Sequence, residues 1–119
     1  MIFFEPGTTD FFGAGFKDTP GGVEYRDREV YSYHIYCLNV DYYSVPKNEK
    51  ICNYMDSFFF SSKEGVAHKL GVGKFLTEFG AIIDSPEGNK ELNYVLDLME
   101  SRFTSWAYWE FKYYADVTT

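Results

Sequence analysis

The segment Lys74–Ala81 constrains the fold of this chain more than any other. It reads Lys-Phe-Leu-Thr-Glu-Phe-Gly-Ala, so a short apolar strand ends on the carboxylate of Glu78 before Gly80 opens a turn. An ionised carboxylate is costly to desolvate, which makes it a poor residue for the buried end of a strand. It is tolerated there when the strand end faces a cleft. The segment therefore predicts a strand that carries a functional carboxylate at its C-terminal end.

Other segments alternate between strand and helix patterns. Short β-branched and aromatic runs predict strands over Ile2–Glu5, Val30–Tyr36, Val72–Glu78 and Thr104–Trp109. A helix is predicted over Asn53–Leu70, with an apolar side made of Met55, Phe58, Phe59 and Val66. A second helix follows Ser85, a good N-cap, and Pro86, which suits the first helical position. Its helical spacing predicts a packing face made of Leu92, Val95, Leu96, Met99 and Phe103.

Strands that alternate with helices indicate an α/β fold with a parallel sheet. Four strands cannot close a (β/α)8 barrel, which needs about 250 residues, and this chain has 119. Residues 1–119 therefore form either half of such a barrel or a small open sheet. Exposed sheet edges are a liability, because they invite pairing with other chains.

The composition excludes several classes of partner. A formal net charge of −7 argues against nucleic acid and anionic membranes, which need a basic surface. No apolar run reaches the length of an integral membrane segment. His34 and His68 lie far apart, and the cysteines have no histidine at zinc spacing, so the sequence indicates no metal site and no cofactor. Aromatic residues make up 21% of the chain; they pack cores, but they also stack on sugar rings.

Polar and aromatic side chains mark the ends of the predicted strands. They are Glu5, His34, Tyr36, Glu78, Trp106 and Trp109. His34 and Tyr36 are two apart on one strand, so their side chains share a face. A carboxylate, hydrogen-bond donors and an indole platform at one mouth would make a sugar-binding site. Taken singly, the same residues also fit a salt-bridged glutamate, a core histidine and packed aromatic rings.

Five segments give a family resemblance. In order, they are Phe4-Glu5-Pro6, the loop with Gly15-Phe16 and Pro20-Gly21-Gly22, Ser32-Tyr33-His34-Ile35-Tyr36-Cys37, Leu76-Thr77-Glu78-Phe79-Gly80-Ala81 and Ser105-Trp106-Ala107-Tyr108-Trp109-Glu110-Phe111-Lys112. Together they resemble the endoglycoceramidases of glycoside hydrolase family 5, retaining enzymes of clan A with a (β/α)8 barrel. The resemblance runs over nearly the whole chain. It implies that the chain corresponds to barrel strands five to eight.

The resemblance implies a role for each strand-end residue. Glu78 matches the nucleophile that ends strand seven. His34 and Tyr36 match the His-x-Tyr pair of strand six, whose tyrosine donates a hydrogen bond to the nucleophile. Trp109 matches the aromatic platform of strand eight, with Trp106 as the second choice.

Cys37 and Cys52 look like the disulfide that follows strand six in this family. Their spacing fits a closed loop of about fifteen residues, although the spacing alone also allows two unrelated thiols. A disulfide implies an oxidising compartment. Together with the resemblance, it implies a secreted or lysosomal protein.

Part of the family's catalytic machinery is missing from this sequence. The general acid/base is the glutamate of an Asn-Glu-Pro motif after strand four, and this chain corresponds to strands five onwards. Glu5-Pro6 is similar to that motif, but Phe4 stands in place of the asparagine. Glu5 is therefore expected to line the cleft, and the N-terminal half of the barrel is an expected partner.

The resemblance implies a fragment of a retaining hydrolase that cleaves the bond between an oligosaccharide and ceramide in glycosphingolipids. The fragment carries the nucleophile without the acid/base, so the isolated chain is expected to be inactive. Its expected ligand is a glycosphingolipid or an oligosaccharide. The alternatives are a non-catalytic module that binds glycans or glycolipids, an inactive truncated product, and a cellulase-like or β-glucosidase-like specificity in the same family.

Overall fold

The structure, a computed structural model, describes residues 1–7, 10 and 15–110. Within these residues the strands are β1 (Ile2–Phe4), β2 (Glu29–His34), β3 (Gly73–Gly80) and β4 (Ser105–Trp109). The α-helices are α1 (Glu49–Leu70) and α2 (Pro86–Ser101), and a short 3-10 helix, Val23–Arg28, precedes β2. Each predicted strand and helix is present with slightly different bounds. The last two residues of the fifth sequence motif, Phe111 and Lys112, lie outside the described residues.

The strands form one parallel sheet in the order β1-β2-β3-β4. A doubly wound sheet reverses its strand order at a switch point, whereas consecutive strands of a (β/α)8 barrel lie side by side. The predicted α/β fold with a parallel sheet is therefore confirmed, and its strand order is that of a partial barrel.

Local capping explains where the helices begin and end. Asn48 is the N-cap of α1, where its side-chain oxygen accepts a hydrogen bond from the N–H of Ile51 at 3.2 Å. Gly71 ends this helix at a φ of 70°, a left-handed conformation that glycine adopts without steric cost. Ser85 caps α2 as predicted, by accepting from the N–H of Gly88 at 3.0 Å. Helix α1 begins earlier than predicted, because the apolar pattern did not reveal its cap.

The core lies between one face of the sheet and the two helices. Tyr31 and Tyr33 of β2 are buried there with Leu76 and Phe79 of β3. The helices contribute Phe60, Val66, Ala67, Leu70, Val95 and Met99. Full burial of a large apolar side chain contributes about 1.5–3 kcal/mol, so this layer fixes the sheet against the helices. Because side chains alternate along a strand, the even-numbered residues of β2, including His34, are left on the opposite face.

Two residues predicted to pack in the core are exposed. Phe103 is 96% exposed, because α2 ends at Ser101 and Phe103 adopts a left-handed φ of 51° in the turn that follows. Phe58, which was predicted on the apolar side of α1, is exposed because the buried side of this helix runs through Phe60, whereas Val66 is buried as predicted. Both predictions were wrong. Within the described residues no helix is both long enough and apolar enough to cross a membrane.

A disulfide joins Cys37 and Cys52, as the family resemblance implied. It links the loop after β2 to the first turn of α1, with the two Cα atoms 5.0 Å apart. Closing a loop of this length contributes about 3 kcal/mol in the chain-entropy model. The carboxyl of Glu91 lies close to both sulfurs, but the sulfurs are used in the bond and do not bind a metal.

Two carboxyl groups are buried together between α1 and α2. Asp56 is inaccessible to solvent, and Glu91 is nearly so. Burial, followed by a hydrogen bond with Glu91 and its charge, raises the pKa of Asp56 to about 9. At neutral pH the pair therefore keeps a proton, which avoids two adjacent charges in the protein interior.

We predict that Asp56 makes the chain more stable at mildly acidic than at alkaline pH. Its pKa is raised on folding, so the folded chain holds a proton that the unfolded chain releases above about pH 4. The stabilising contribution is complete below that pH and is lost as the pH rises through about 9. The loss is at most about 1.4 kcal/mol per pH unit for one proton. Urea unfolding across this pH range measures the slope.

The matched variants are Asp56→Asn and Asp97→Asn. Asp56→Asn should remove most of the pH dependence, because an amide does not titrate. Asp97 lies on the exposed side of α2, so Asp97→Asn should leave the pH profile unchanged. A profile for Asp56→Asn that matches the parent chain would show that this carboxyl does not control stability.

Candidate active site

The site depends on an irregularity in β3. His34 of β2 pairs with Glu78, whereas the residue before His34 pairs with Leu76. Thr77 is therefore an extra residue, a β-bulge that resets the alternation of side chains. As a result, Leu76 and Phe79 both lie in the core although they are three residues apart. Glu78 faces the other side of the sheet with His34, and without the bulge it would face the core with Leu76.

His34 lies between two carboxylates. Its Nδ1 is 3.2 Å from Oε2 of Glu78, and its Nε2 is 3.2 Å from Oε2 of Glu5. All three side chains are partly buried. A ring nitrogen donates to a carboxylate only when it carries a hydrogen, so both hydrogen bonds form together when both nitrogens are protonated. The imidazole thus connects carboxylates from two different strand ends.

Tyr36 donates a short hydrogen bond to the same oxygen of Glu78. The two oxygens are 2.6 Å apart, which is the contact that the family resemblance implied. Burial, followed by the hydrogen bond and the charge of Glu78, raises the pKa of Tyr36 above its ordinary value of 10.0. The phenol therefore stays protonated and remains a donor at physiological pH. The hydroxyl of Tyr36 and Nδ1 of His34 thus both lie within hydrogen-bond distance of Oε2 of Glu78.

Glu5 is also held by the sheet. It directly follows β1, and its Oε2 lies 3.4 Å from the hydroxyl of Ser32, whose single hydrogen is donated either to this carboxylate or to the carbonyl of Phe4 at 3.3 Å. Ser32 and His34 are two apart on β2, so they approach Glu5 from one face. The structure therefore brings Glu5 to the same edge of the sheet as Glu78.

The two tryptophans of β4 do not share a face. Trp106 packs edge-on against Phe79 with ring centroids 5.4 Å apart, and Tyr108 contacts the same ring. Both lie on the core side of the sheet, so the structure does not bring Trp106 to Glu78. Alternation along β4 places the side chain of Trp109 on the opposite side, which is the side of Glu78. Of the two residues expected to offer a sugar platform, only Trp109 has the required facing.

Gly80 lets β4 approach the end of β3. Its φ of 115° is one that residues with a side chain rarely adopt. A Cβ at this position would lie 2.5 Å from the carbonyl oxygen of Trp109 and 2.5 Å from the ring of Tyr108. The same carbonyl accepts a hydrogen bond from the N–H of Ala81 at 2.7 Å. Gly80, two residues after Glu78, therefore allows the backbone of Trp109 to pack against the end of β3.

An apolar cavity of about 230 Å³ adjoins this cluster. It lies between the ends of β1 and β2 and helix α1, and Glu5 and His34 form part of its wall. Its apolar wall is made of Pro6, Ile35, Leu38 and Phe59. Lys63 at this wall is buried, and its ammonium lies 3.3 Å from the carboxylate of Asp10. The cavity is therefore an apolar compartment with a polar edge next to the carboxylates.

The geometry defines a carboxylate-centred site at the C-terminal edge of a parallel sheet, where (β/α)8 barrels carry their chemistry. It brings together Glu5, His34, Tyr36 and Glu78. A carboxylate held in this way is equipped to attack an electrophilic carbon or to accept a proton. Glu78 is therefore positioned for either role.

Two curated proteins are similar to this chain over nearly its whole length. The chain is 34% identical to an endoglycoceramidase of Cyanea nozakii over 113 residues, which is 95% of this chain and 20% of that protein. It is 34% identical to an endoglycoceramidase of Hydra vulgaris over 116 residues, which is 98% of this chain and 19% of that protein. The resemblance found in the five sequence motifs is therefore confirmed. The chain spans about a fifth of the length of these relatives.

No family model matches the sequence. The catalytic domain of Thermobifida fusca endoglucanase Cel5A is similar to 71% of this chain, at 18% identity and a TM-score of 0.42, and the match covers 23% of that structure. The fold is defined by the strand order described above.

Sequence reasoning missed the bulge at Thr77 and the bridge that His34 makes between two carboxylates. The bulge has a signal in the sequence, because the core residues Leu76 and Phe79 are three apart in a strand whose period is two. The bridge has no such signal, since it depends on the register of three strands that are distant in sequence.

We predict that Gly80→Ala destabilises the fold by at least about 2 kcal/mol, the sum expected from a strained backbone and an overpacked contact. The matched control is Gly65→Ala in α1, where a Cβ would meet no atom within 4 Å. That variant should stabilise the chain by about 0.5–1 kcal/mol through helix propensity. Urea unfolding measures both changes, and equal stability of Gly80→Ala and the parent chain would contradict the close approach of β4.

Proposed function

We propose that this chain is the C-terminal half of the catalytic barrel of a retaining glycosidase, with Glu78 as the nucleophile. One observation carries the proposal. The carboxylate of Glu78 stands at a strand end, turned off the core by the bulge, with Tyr36 and His34 bound to one of its oxygens. In retaining glycosidases one carboxylate attacks the anomeric carbon to form a glycosyl-enzyme, and a second carboxyl group protonates the leaving oxygen.

The partners of Glu78 support the nucleophile over the acid. An ionised carboxylate only accepts hydrogen bonds, and Tyr36 supplies a donor that stays protonated. A general acid instead gains its proton in apolar surroundings. Because the phenol is a donor to Oε2, it orients the carboxylate without taking its charge.

The remaining cluster has supporting roles in this proposal. His34 connects Glu78 to Glu5, so Glu5 orients the imidazole from the neighbouring strand end. Trp109 faces the same side of the sheet and offers its ring to the apolar face of a sugar. No step is assigned to Trp106, which packs on the core side.

The acid/base carboxyl belongs to another part of the barrel in this proposal. The two catalytic carboxyl groups of a retaining enzyme stand about 5–5.5 Å apart with the anomeric carbon between them. Glu5 does not fit that role, because the imidazole of His34 occupies the space between Glu5 and Glu78. The relatives support this division, since each is about five times as long as the stretch they share with this chain.

The proposed substrate is a glycosphingolipid, cleaved between its oligosaccharide and its ceramide. Two relatives named endoglycoceramidase support this substrate. The apolar cavity beside Glu5 and His34 also supports a lipid leaving group, because Leu38 and Phe59 offer a sugar hydroxyl no hydrogen bond. The disulfide supports a secreted or lysosomal location, since such bonds persist in oxidising compartments.

We predict that the purified chain forms a covalent adduct with an activated glycoside. The reagent is a dinitrophenyl β-glucoside that is fluorinated next to its anomeric carbon. Its leaving group departs without protonation, so the attack needs a nucleophile but no general acid. Mass spectrometry should detect the added fluoroglucosyl group, and peptide mapping should locate it on Glu78.

Three variants control this labelling experiment. Glu78→Gln should abolish the adduct, whereas Glu5→Gln should retain it, because Glu5 orients His34 and does not attack. Tyr36→Phe should slow labelling about tenfold or more, since a hydrogen bond to a charged group is worth about 1.5–3 kcal/mol. An adduct on Glu5 would reverse the assignment. A folded chain that binds the glycoside without labelling would be a glycan-binding module.

We predict that the same chain releases no measurable oligosaccharide from a ganglioside. The natural leaving group needs a proton from the acid/base, and such a group contributes about 10²–10⁴-fold to the rate. Chromatography of the released glycan measures the reaction. Turnover by this chain that disappears in Glu78→Gln would show that the chain carries its own acid/base.

A further inference from the structure

The loop between β2 and α1 contains a small hairpin, Val40–Pro46, the tyrosine hairpin. Its first and last residues form an antiparallel bridge, and the N–H of Asp41 donates to the carbonyl of Val45 at 2.9 Å. The carboxylate of Asp41 accepts from the N–H groups of Tyr43 at 2.8 Å and of Val45 at 2.9 Å. These hydrogen bonds involve the backbone and one carboxylate, so the hairpin has a defined shape without using its aromatic rings.

The tyrosine hairpin presents two adjacent rings at its tip. Tyr42 is 85% exposed and Tyr43 is 60% exposed, and their rings meet edge to face with centroids 5.3 Å apart. A second pair of exposed aromatic rings lies on α1, where Tyr54 stacks on Phe58 with centroids 6.5 Å apart. Exposed apolar groups scattered singly need no explanation, but a cluster of them marks an interaction surface.

The hairpin lies at the same edge of the sheet as Glu78. It follows the C-terminal end of β2, and the C-terminal ends of parallel strands share one edge. The disulfide between Cys37 and Cys52 fixes the base of the loop, directly after Tyr36 and at the first turn of α1. The aromatic surface is therefore attached to the strand that supplies His34 and Tyr36 to the site.

We propose that the tyrosine hairpin docks this protein onto the surface of a zwitterionic lipid bilayer, beside the cleft in which Glu78 lies. Tyrosine suits such a surface, because its ring enters the apolar layer while its hydroxyl stays in the hydrated layer. The formal net charge of −7 disfavours anionic headgroups. The inference rests on the proposed function: ceramide anchors a glycolipid in the bilayer, so its glycosidic bond is cleaved at that surface.

Co-sedimentation with phosphatidylcholine vesicles that contain no glycolipid tests docking separately from catalysis. We expect the chain to bind these vesicles, and a Tyr42→Ser/Tyr43→Ser double variant to bind at least about tenfold more weakly. The matched control is Tyr25→Ser. Tyr25 is 49% exposed but lies in the 3-10 helix before β2, at the opposite edge of the sheet. Its substitution should leave vesicle binding unchanged.

Several outcomes would overturn the docking proposal. They are no vesicle binding by the parent chain, equal binding by the double variant, and an equal loss in Tyr25→Ser. Binding that requires ganglioside in the vesicle would also overturn it, because the hairpin would then contact the glycan and not the bilayer.

The adduct on Glu78 separates this proposal from the proposed function. The soluble fluoroglucoside should label the double variant and the parent chain at the same rate, since the hairpin does not touch Glu78. A chain that is labelled but does not bind vesicles would refute the docking surface alone. A chain that binds vesicles through Tyr42 and Tyr43 but is never labelled would refute the nucleophile alone.

Discussion

A single extra residue, Thr77, allows β3 to place Leu76 and Phe79 in the core and Glu78 on the opposite face of the sheet. Strict alternation would place Leu76 and Glu78 on the same side, and the core would then have to accept a carboxylate or lose an apolar residue. The bulge resolves this conflict. The hydroxyl of Thr77 donates to a carbonyl of β2 at 3.3 Å, so its side chain has a partner within the sheet. The core and the site both depend on this one change of register.

The chemistry of the site follows from how a half-buried carboxylate is compensated. Glu78 loses part of its water at the strand end, and Tyr36 and His34 replace that water with fixed groups. The imidazole in turn is held from the neighbouring strand end by Glu5, which Ser32 also contacts. The members of the cluster come from the C-terminal ends of three neighbouring parallel strands. The sheet therefore positions the whole cluster, without relying on the conformation of any single loop.

The sequence allowed the strand ends to be identified, because turn residues, apolar runs and the carboxylate at the end of β3 are local signals. The presence of each strand and helix, the parallel sheet and the disulfide are as predicted, although α1 begins earlier than expected. The facing of Trp106 and the exposure of Phe103 were not, since each depends on where a strand or helix meets its neighbour. The buried pair of Asp56 and Glu91 also gave no signal, because an acidic residue in a helix ordinarily faces solvent.

Cys37 follows Tyr36 directly, so the cross-link to Cys52 tethers the residue next to the one that orients Glu78. Before the two thiols are oxidised, this strand end lacks the covalent tether and is held by the hydrogen bond from Tyr36 to Glu78 and by the burial of Ile35. The disulfide therefore closes the loop and also restrains the chain directly beside the carboxylate cluster. In a reducing compartment the same chain would lack this tether beside Tyr36.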